Sequence, residues 1–92
     1  MKYLLKVVAL LPKREFPAKN GEKIEVVPIR LMQGRDQFVA DAVGVDARSL
    51  PENLGGGDNV WCELSFSVRE WDGEDGKKNY KQSVNISKVE RL

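Results

Sequence analysis

The chain has 92 residues, 41% of them hydrophobic and 32% charged, which suffices for one modest core and one domain spanning 1–92. Fifteen basic and fourteen acidic side chains leave a formal net charge of +1, so no global field draws the protein to phosphate or membrane. With no histidine and a single cysteine, an intrachain disulfide, a Cys/His zinc site within one chain and the commonest general base are excluded.

The first apolar run, Tyr3 to Leu10, is broken by Lys6 and followed by no small-residue cleavage site, so it reads as a first strand ended by Pro12. No segment approaches the ~20 apolar residues that a membrane-spanning helix needs. Pro12 to Asn20 reads as a polar connection carrying Lys13, Arg14, Lys19 and the lone aromatic Phe16. It closes on Asn20-Gly21, the preferred pair for a tight hairpin turn, because both residues can take positive φ.

Glu22 to Gln33 is the second predicted strand. Ile24 and Val26 share one parity, Ile29 and Leu31 the other, with Val27-Pro28 at the switch. A phase change at a proline predicts a bulge or an edge position, the bend a short strand needs to serve two parts of a small barrel. After a turn at Gly34-Arg35-Asp36, Gln37 to Val45 is the third strand, with Phe38, Ala40 and Ala42 on one face. Asp46 to Leu54 has leucines four apart and predicts a short helix or helical turn limited by Pro51. Gly55-Gly56-Gly57 is followed by neither a Lys-Ser/Thr pair nor a helix signal, so it does not support a phosphate-cradling loop.

Val60 to Trp71 is the clearest alternation in the chain. Val60, Cys62, Leu64, Phe66 and Val68 form a predicted apolar face; Trp61, Glu63, Ser65, Ser67, Arg69 and Trp71 form the other. In this pattern Cys62 is expected to be a small buried hydrophobe, which suits a reducing compartment. A polar loop, Asp72 to Asn79, leads to a fifth strand from Tyr80 to Val89 with Val84 and Ile86 inward. Asp72, Glu74 and Asp75 lack the later bidentate glutamate and the helices of a calcium-binding loop, and read as a hydrated turn. Nothing pairs a nucleophile with a base, so the chain is not expected to be an enzyme, and no cofactor or metal is expected.

Five strands with a short helical element between the third and fourth predict an all-β, five-stranded Greek-key barrel of the OB type; pattern alone leaves an SH3-like barrel open. From Gln37 onward the chain also resembles the bacterial single-stranded DNA-binding protein family, as a small divergent member. The resemblance rests on Gly44 ending a strand, the leucine-spaced Leu50 and Leu54, G-D-N-V-W-C-E from Gly57 to Glu63, and V-R-E-W-D-G-E-D-G-K-K-N-Y from Val68 to Tyr80. One of the family's stacking aromatics falls on Val43 here.

The resemblance implies an OB-fold that binds single-stranded DNA, with RNA as the alternative, with little sequence preference. It implies a homodimer or homotetramer, cytoplasmic, serving replication, recombination, or phage or mobile-element DNA metabolism alongside proteins of those pathways. Trp71 matches a base-stacking aromatic, though it could equally shield the hairpin stem. Phe38 matches a second stacking position or is core. Trp61 serves DNA or a subunit contact, and Tyr80 closes the aromatic hairpin. Arg69, Lys77, Lys78 and Lys81 would touch phosphates, or simply balance the acidic loop. A different class of reading keeps the fold but makes it a protein-interaction module built on the Trp61 face, without nucleic acid.

Overall fold

The computed structural model describes residues 2–92. It is mostly β: β1 (Lys2–Leu10), β2 (Arg14–Pro17), β3 (Lys23–Gln33), β4 (Asp36–Val43), the single helical turn α1 (Val45–Arg48), β5 (Asn59–Asp72) and β6 (Lys78–Arg91). The sheet runs β1-β5-β6-β4-β3-β2, and β1 also pairs with β3, so five strands ring round. The ring is antiparallel except between β4 and β6, which meet in parallel at Asp41 and Asn85. Inside it lie Leu5, Val7, Ile29, Leu31, Ala40, Ala42, Val60, Cys62, Leu64 and Ile86, all nearly inaccessible to solvent. Among the described residues, no helix is long and apolar enough to cross a membrane.

The connection predicted from Pro12 to Asn20 contains the short strand β2, which pairs with the first half of β3 from Arg14↔Val26 to Pro17↔Lys23. Its R-E-F-P composition conceals it. It is an exposed edge strand that buries nothing, so no alternation marks it, and its last residue is a proline, which edges tolerate.

The hairpin turn that follows is not the two-residue form expected of Asn20-Gly21. Gly21 alone has positive φ, at 83°. The Gly21 N–H donates to the Ala18 carbonyl, and the Ala18 N–H to that of Glu22. This is a three-residue loop in which a turn ends in a left-handed glycine. The Glu22 N–H also donates to the Asn20 side chain at 3.1 Å. The β5–β6 turn repeats the design: Gly76 has φ of 76°, its N–H donates to the Gly73 carbonyl, Gly73 donates to Lys77, and Lys77 donates to the Asp75 carboxylate at 3.1 Å.

The phase change in β3 is real but is not a bulge. Pairing with β4 is unbroken from Val26↔Val43 to Gln33↔Asp36. Val27, Ile29 and Leu31 hold one parity facing inward throughout. Val26 and Pro28 are buried on the other face, within the grooves bounded by the β2 region, so both faces of this stretch are covered. Pro28 sits where β3 passes from β2 to β1, and its carbonyl accepts from Leu11 at 2.9 Å. A residue without an N–H fits there, because the ladder on that side is changing partner. The bulge lies in β1 instead, where the register with β3 shifts between Val7 and Ala9.

That bulge explains the glycine run. Gly56 packs so closely on β1 that a Cβ there would lie 2.7 Å from the Val8 carbonyl oxygen, while Gly57 donates to the Val7 carbonyl and Val7 to that of Asp58, both at 2.8 Å. Gly56→Ala is therefore expected to lower stability by about 1–3 kcal/mol, the usual cost of overpacking, read as a lower urea midpoint.

Of the predicted short helix or helical turn the structure forms the turn, Val45–Arg48, capped where the Ser49 N–H and hydroxyl both donate to the Val45 carbonyl. The rest of Asp46–Leu54 is turn and coil, yet Leu50 and Leu54 still pack on the core. Their four-residue spacing reports burial of two side chains rather than a helix.

Candidate nucleic-acid interface

β5 and β6 are 14 residues each, longer than the ring requires. From Val60 to Leu64 the alternation buries Val60, Cys62 and Leu64 as predicted. Beyond Leu64 the hairpin leaves the ring as a two-stranded arm. Phe66 and Val68, assigned by parity to the apolar core face, are 53% and 66% exposed. The parity is right, but the core has ended: Phe66 and Val68 share their face with Val84, Gln82 and Tyr80, and only Phe66 finds a ring, meeting Tyr3 edge-on at 6.4 Å between centroids.

The opposite, outward face of the arm carries Arg69 and Trp71, with Lys81 directly across from Arg69 and Asn79 across from Trp71. The Arg69 guanidinium carbon lies 5.1 Å from the Trp71 ring centroid. A guanidinium over the ring is an attractive arrangement that limits the tryptophan's freedom. Trp71 remains 42% exposed, and among the described residues neither Arg69 nor Lys81 has an ion-pair partner.

Below this face lies an open groove of about 570 Å³, lined among others by Arg14, Pro28, Val39, Asp41, Lys81 and Ser83. Arg14 and Asp41 also line an adjoining groove with Phe16, Val26 and Val43. The two grooves meet at Arg14 and Asp41. Arg14, from the connection after β1, and Lys81, from the arm, thus face the same cleft. Asp41 tempers it, 3.9 Å from Arg14. Lys13, from the same connection, is tied to Glu25 at 3.1 Å.

The remaining sequence-predicted residues are dispersed. Tyr80 is on the arm's other face, 64% exposed and opposite Glu70. Lys78 pairs with Glu70 at 3.0 Å, and Lys77 lies in the turn. Phe38 is half-buried at the rim of the ring, where it lines a groove with Tyr3, Phe66 and Val84. Trp61 lies ten residues from Trp71 along β5, roughly 34 Å at the usual rise of an extended strand. Its neighbours are Leu4 across the β1 pairing and Glu90 across the β6 pairing. Around it Lys2, Glu63, Lys88 and Glu90 line a cleft of about 270 Å³. The Glu90 side chain, hydrogen-bonded to Lys88 at 3.1 Å, raises the Lys88 pKa, and Lys88 lowers that of Glu90.

Sequence reasoning left Val39 out of the site and gave Arg14 only within a second basic patch, Lys13, Arg14 and Lys19, in a loop that flanks the binding face of OB domains. Arg14 was visible only as part of a basic loop, and Val39 only as an off-phase apolar residue; the ring closure puts them opposite Lys81. Burial pushes the Cys62 thiol from an ordinary 9.0 up to about 11, which keeps it protonated and unreactive near neutral pH. Among the described residues, no cluster of His, Cys, Asp or Glu could hold a metal ion. Set beside known proteins, the chain matches no family model and no curated sequence.

Proposed function

We propose that this chain is an OB-fold module that binds single-stranded DNA with little sequence preference. Bases stack on Trp71, while Arg69, Lys81 and Arg14 contact phosphates. The observation that carries the reading is the convergence of Arg14 and Lys81 on one groove beneath the exposed Trp71–Arg69 pair. In OB-folds, the loops after the first strand and between the fourth and fifth flank the nucleic-acid face; here they correspond to the β1–β3 connection and the β5–β6 arm. The ring order β1-β3-β4-β6-β5 and the four sequence features from Gln37 onward support the same assignment. Stacking is blind to base identity because every base has a π-face. Phosphate contacts position the strand without reading it.

The test is a titration with oligo-dT, following tryptophan fluorescence at several salt concentrations. Quenching is expected, with affinity falling as salt rises. Three phosphate contacts give a slope of log K against log salt of about −2, at about −0.7 per contact on single strands. No quenching at low salt would sink the proposal.

A second reading draws on the other end of β5. Trp61 and Leu4 are 43% and 47% exposed and adjacent, ringed by two acidic and two basic side chains. Exposed tryptophan is enriched in protein interfaces. On this reading the chain is a protein-interaction module, and the oligo-dT titration would be flat.

A further inference from the structure

The arm has two edges, and they differ. β5 is paired to β6 as far as Asp72, without a register shift beyond Leu64. On its other side β1 accompanies it only to Glu63, and among the described residues no strand pairs with that edge farther out. Among the described residues, β5 from Leu64 onward therefore presents an unpaired row of backbone N–H and C=O groups, the template on which another strand adds. Proteins blunt such edges with lysine, proline or bulges. The β6 side of the arm carries Lys78 and Lys81. The β5 side, L-S-F-S-V-R-E, has no lysine and no proline, and its two charges, Arg69 and Glu70, cancel.

We infer that this edge pairs with the same edge of a second copy, β5 against β5 antiparallel, about a two-fold axis at Ser67. Such an interface is isologous, so each pairing occurs twice. The axis at Ser67 sets Phe66 opposite Val68 of the partner subunit on one face, covering the residues that are 53% and 66% exposed in the single chain. On the other face Arg69 lies opposite Ser65 of the partner subunit and diagonal to Glu63 of the partner subunit, within reach of an opposite charge. Neighbouring registers are worse. An axis at Val68 sets Phe66 against Glu70, and one at Arg69 opposes two guanidinium groups. One at Ser65 or Phe66 leaves only Leu64–Phe66 or Leu64–Val68 to pair clear of β1, against Leu64–Glu70 for the axis at Ser67, where pairing ends because β1 already holds Glu63 and Cys62. The product is a four-stranded sheet, β6-β5-β5-β6, with Trp71, Arg69 and Lys81 of both copies on one face. The pairing does not depend on the DNA reading.

Light scattering or sedimentation of the full chain should give twice the single-chain mass. Val68→Lys, on the exposed arm, should halve it without changing the far-ultraviolet circular dichroism, whereas Trp61→Ala should leave the mass unchanged. Directly opposed residues of an antiparallel pair lie about 4.5 or 5.5 Å apart at Cα, within disulfide range. Ser67→Cys should therefore oxidise to a covalent dimer, while the wild type, whose single thiol is the buried Cys62, should not. A single-chain mass for the wild type would overturn the pairing. So would a dimer that survives Val68→Lys, loss of the dimer in Trp61→Ala, or failure of Ser67→Cys to cross-link.

Discussion

Trp71→Ala is expected to weaken oligo-dT binding roughly 5- to 150-fold, since one base–aromatic stack is worth ~1–3 kcal/mol. The ring stands at the outward face of the arm, 42% exposed, with Arg69 beside it at 5.1 Å. The arginine beside the ring limits its freedom before a base arrives, so less ordering is left for binding to supply. Anisotropy of a labelled oligonucleotide is the suitable readout, because removing Trp71 also removes the ring whose quenching reports binding. Trp71→Phe should recover much of the affinity, as stacking requires a π-face and not an indole. In the single chain Trp61→Ala should change binding little, given the roughly 34 Å of strand between the two tryptophans. An unchanged affinity for Trp71→Ala would refute stacking at this ring and leave the groove's cations to account for any binding.

Leu31→Ala is expected to cost about 2–5 kcal/mol of stability, through lost burial and the cavity left behind. Leu31 is fully buried and pairs with Val7 on one side and Phe38 on the other, so it joins three strands of the ring. In the separated single chain Val68→Ala should stay within ~0.5 kcal/mol, as an exposed substitution does, and it should cost more where the β5–β5 pairing covers Val68. Urea unfolding distinguishes them by midpoint, with similar slopes. The contrast is informative because the alternation of β5 treats Val68 as it treats Val60, yet one is 66% exposed and the other is fully buried. Equal costs would mean that the arm is packed in solution, which would point to a partner seated on it.

Much of the ring was legible. Each long strand was found within about two residues at either end, because one face buries against the core and the other meets water, and period-two alternation records that difference. Val84 and Ile86 were placed inward by the same rule: Ile86 is buried and Val84 packs against the core. β2 was not legible, since an edge strand with both faces exposed leaves no periodic trace. The phase change in β3 was seen but misattributed. Parity reports which side chains are covered; it cannot report that both faces of one stretch are covered at once.

The candidate site divides along the same line. Trp71, Arg69 and Lys81 share an outward face by alternation alone, so the sequence by itself determined that grouping, the buried state of Cys62 and the absence of a histidine or disulfide. It also placed Trp61 on that face, and period-two parity carries no information about distance along a strand. Only the tertiary structure decided that the hairpin outruns its core at Leu64, which turns Phe66 and Val68 from core into surface. Only the closing of the ring brought Arg14 to Lys81, because a cleft between segments more than sixty residues apart depends on which strands become neighbours. Local pattern specifies the face of a strand; the number of strands packed behind that face specifies whether it is core, groove or exposed edge.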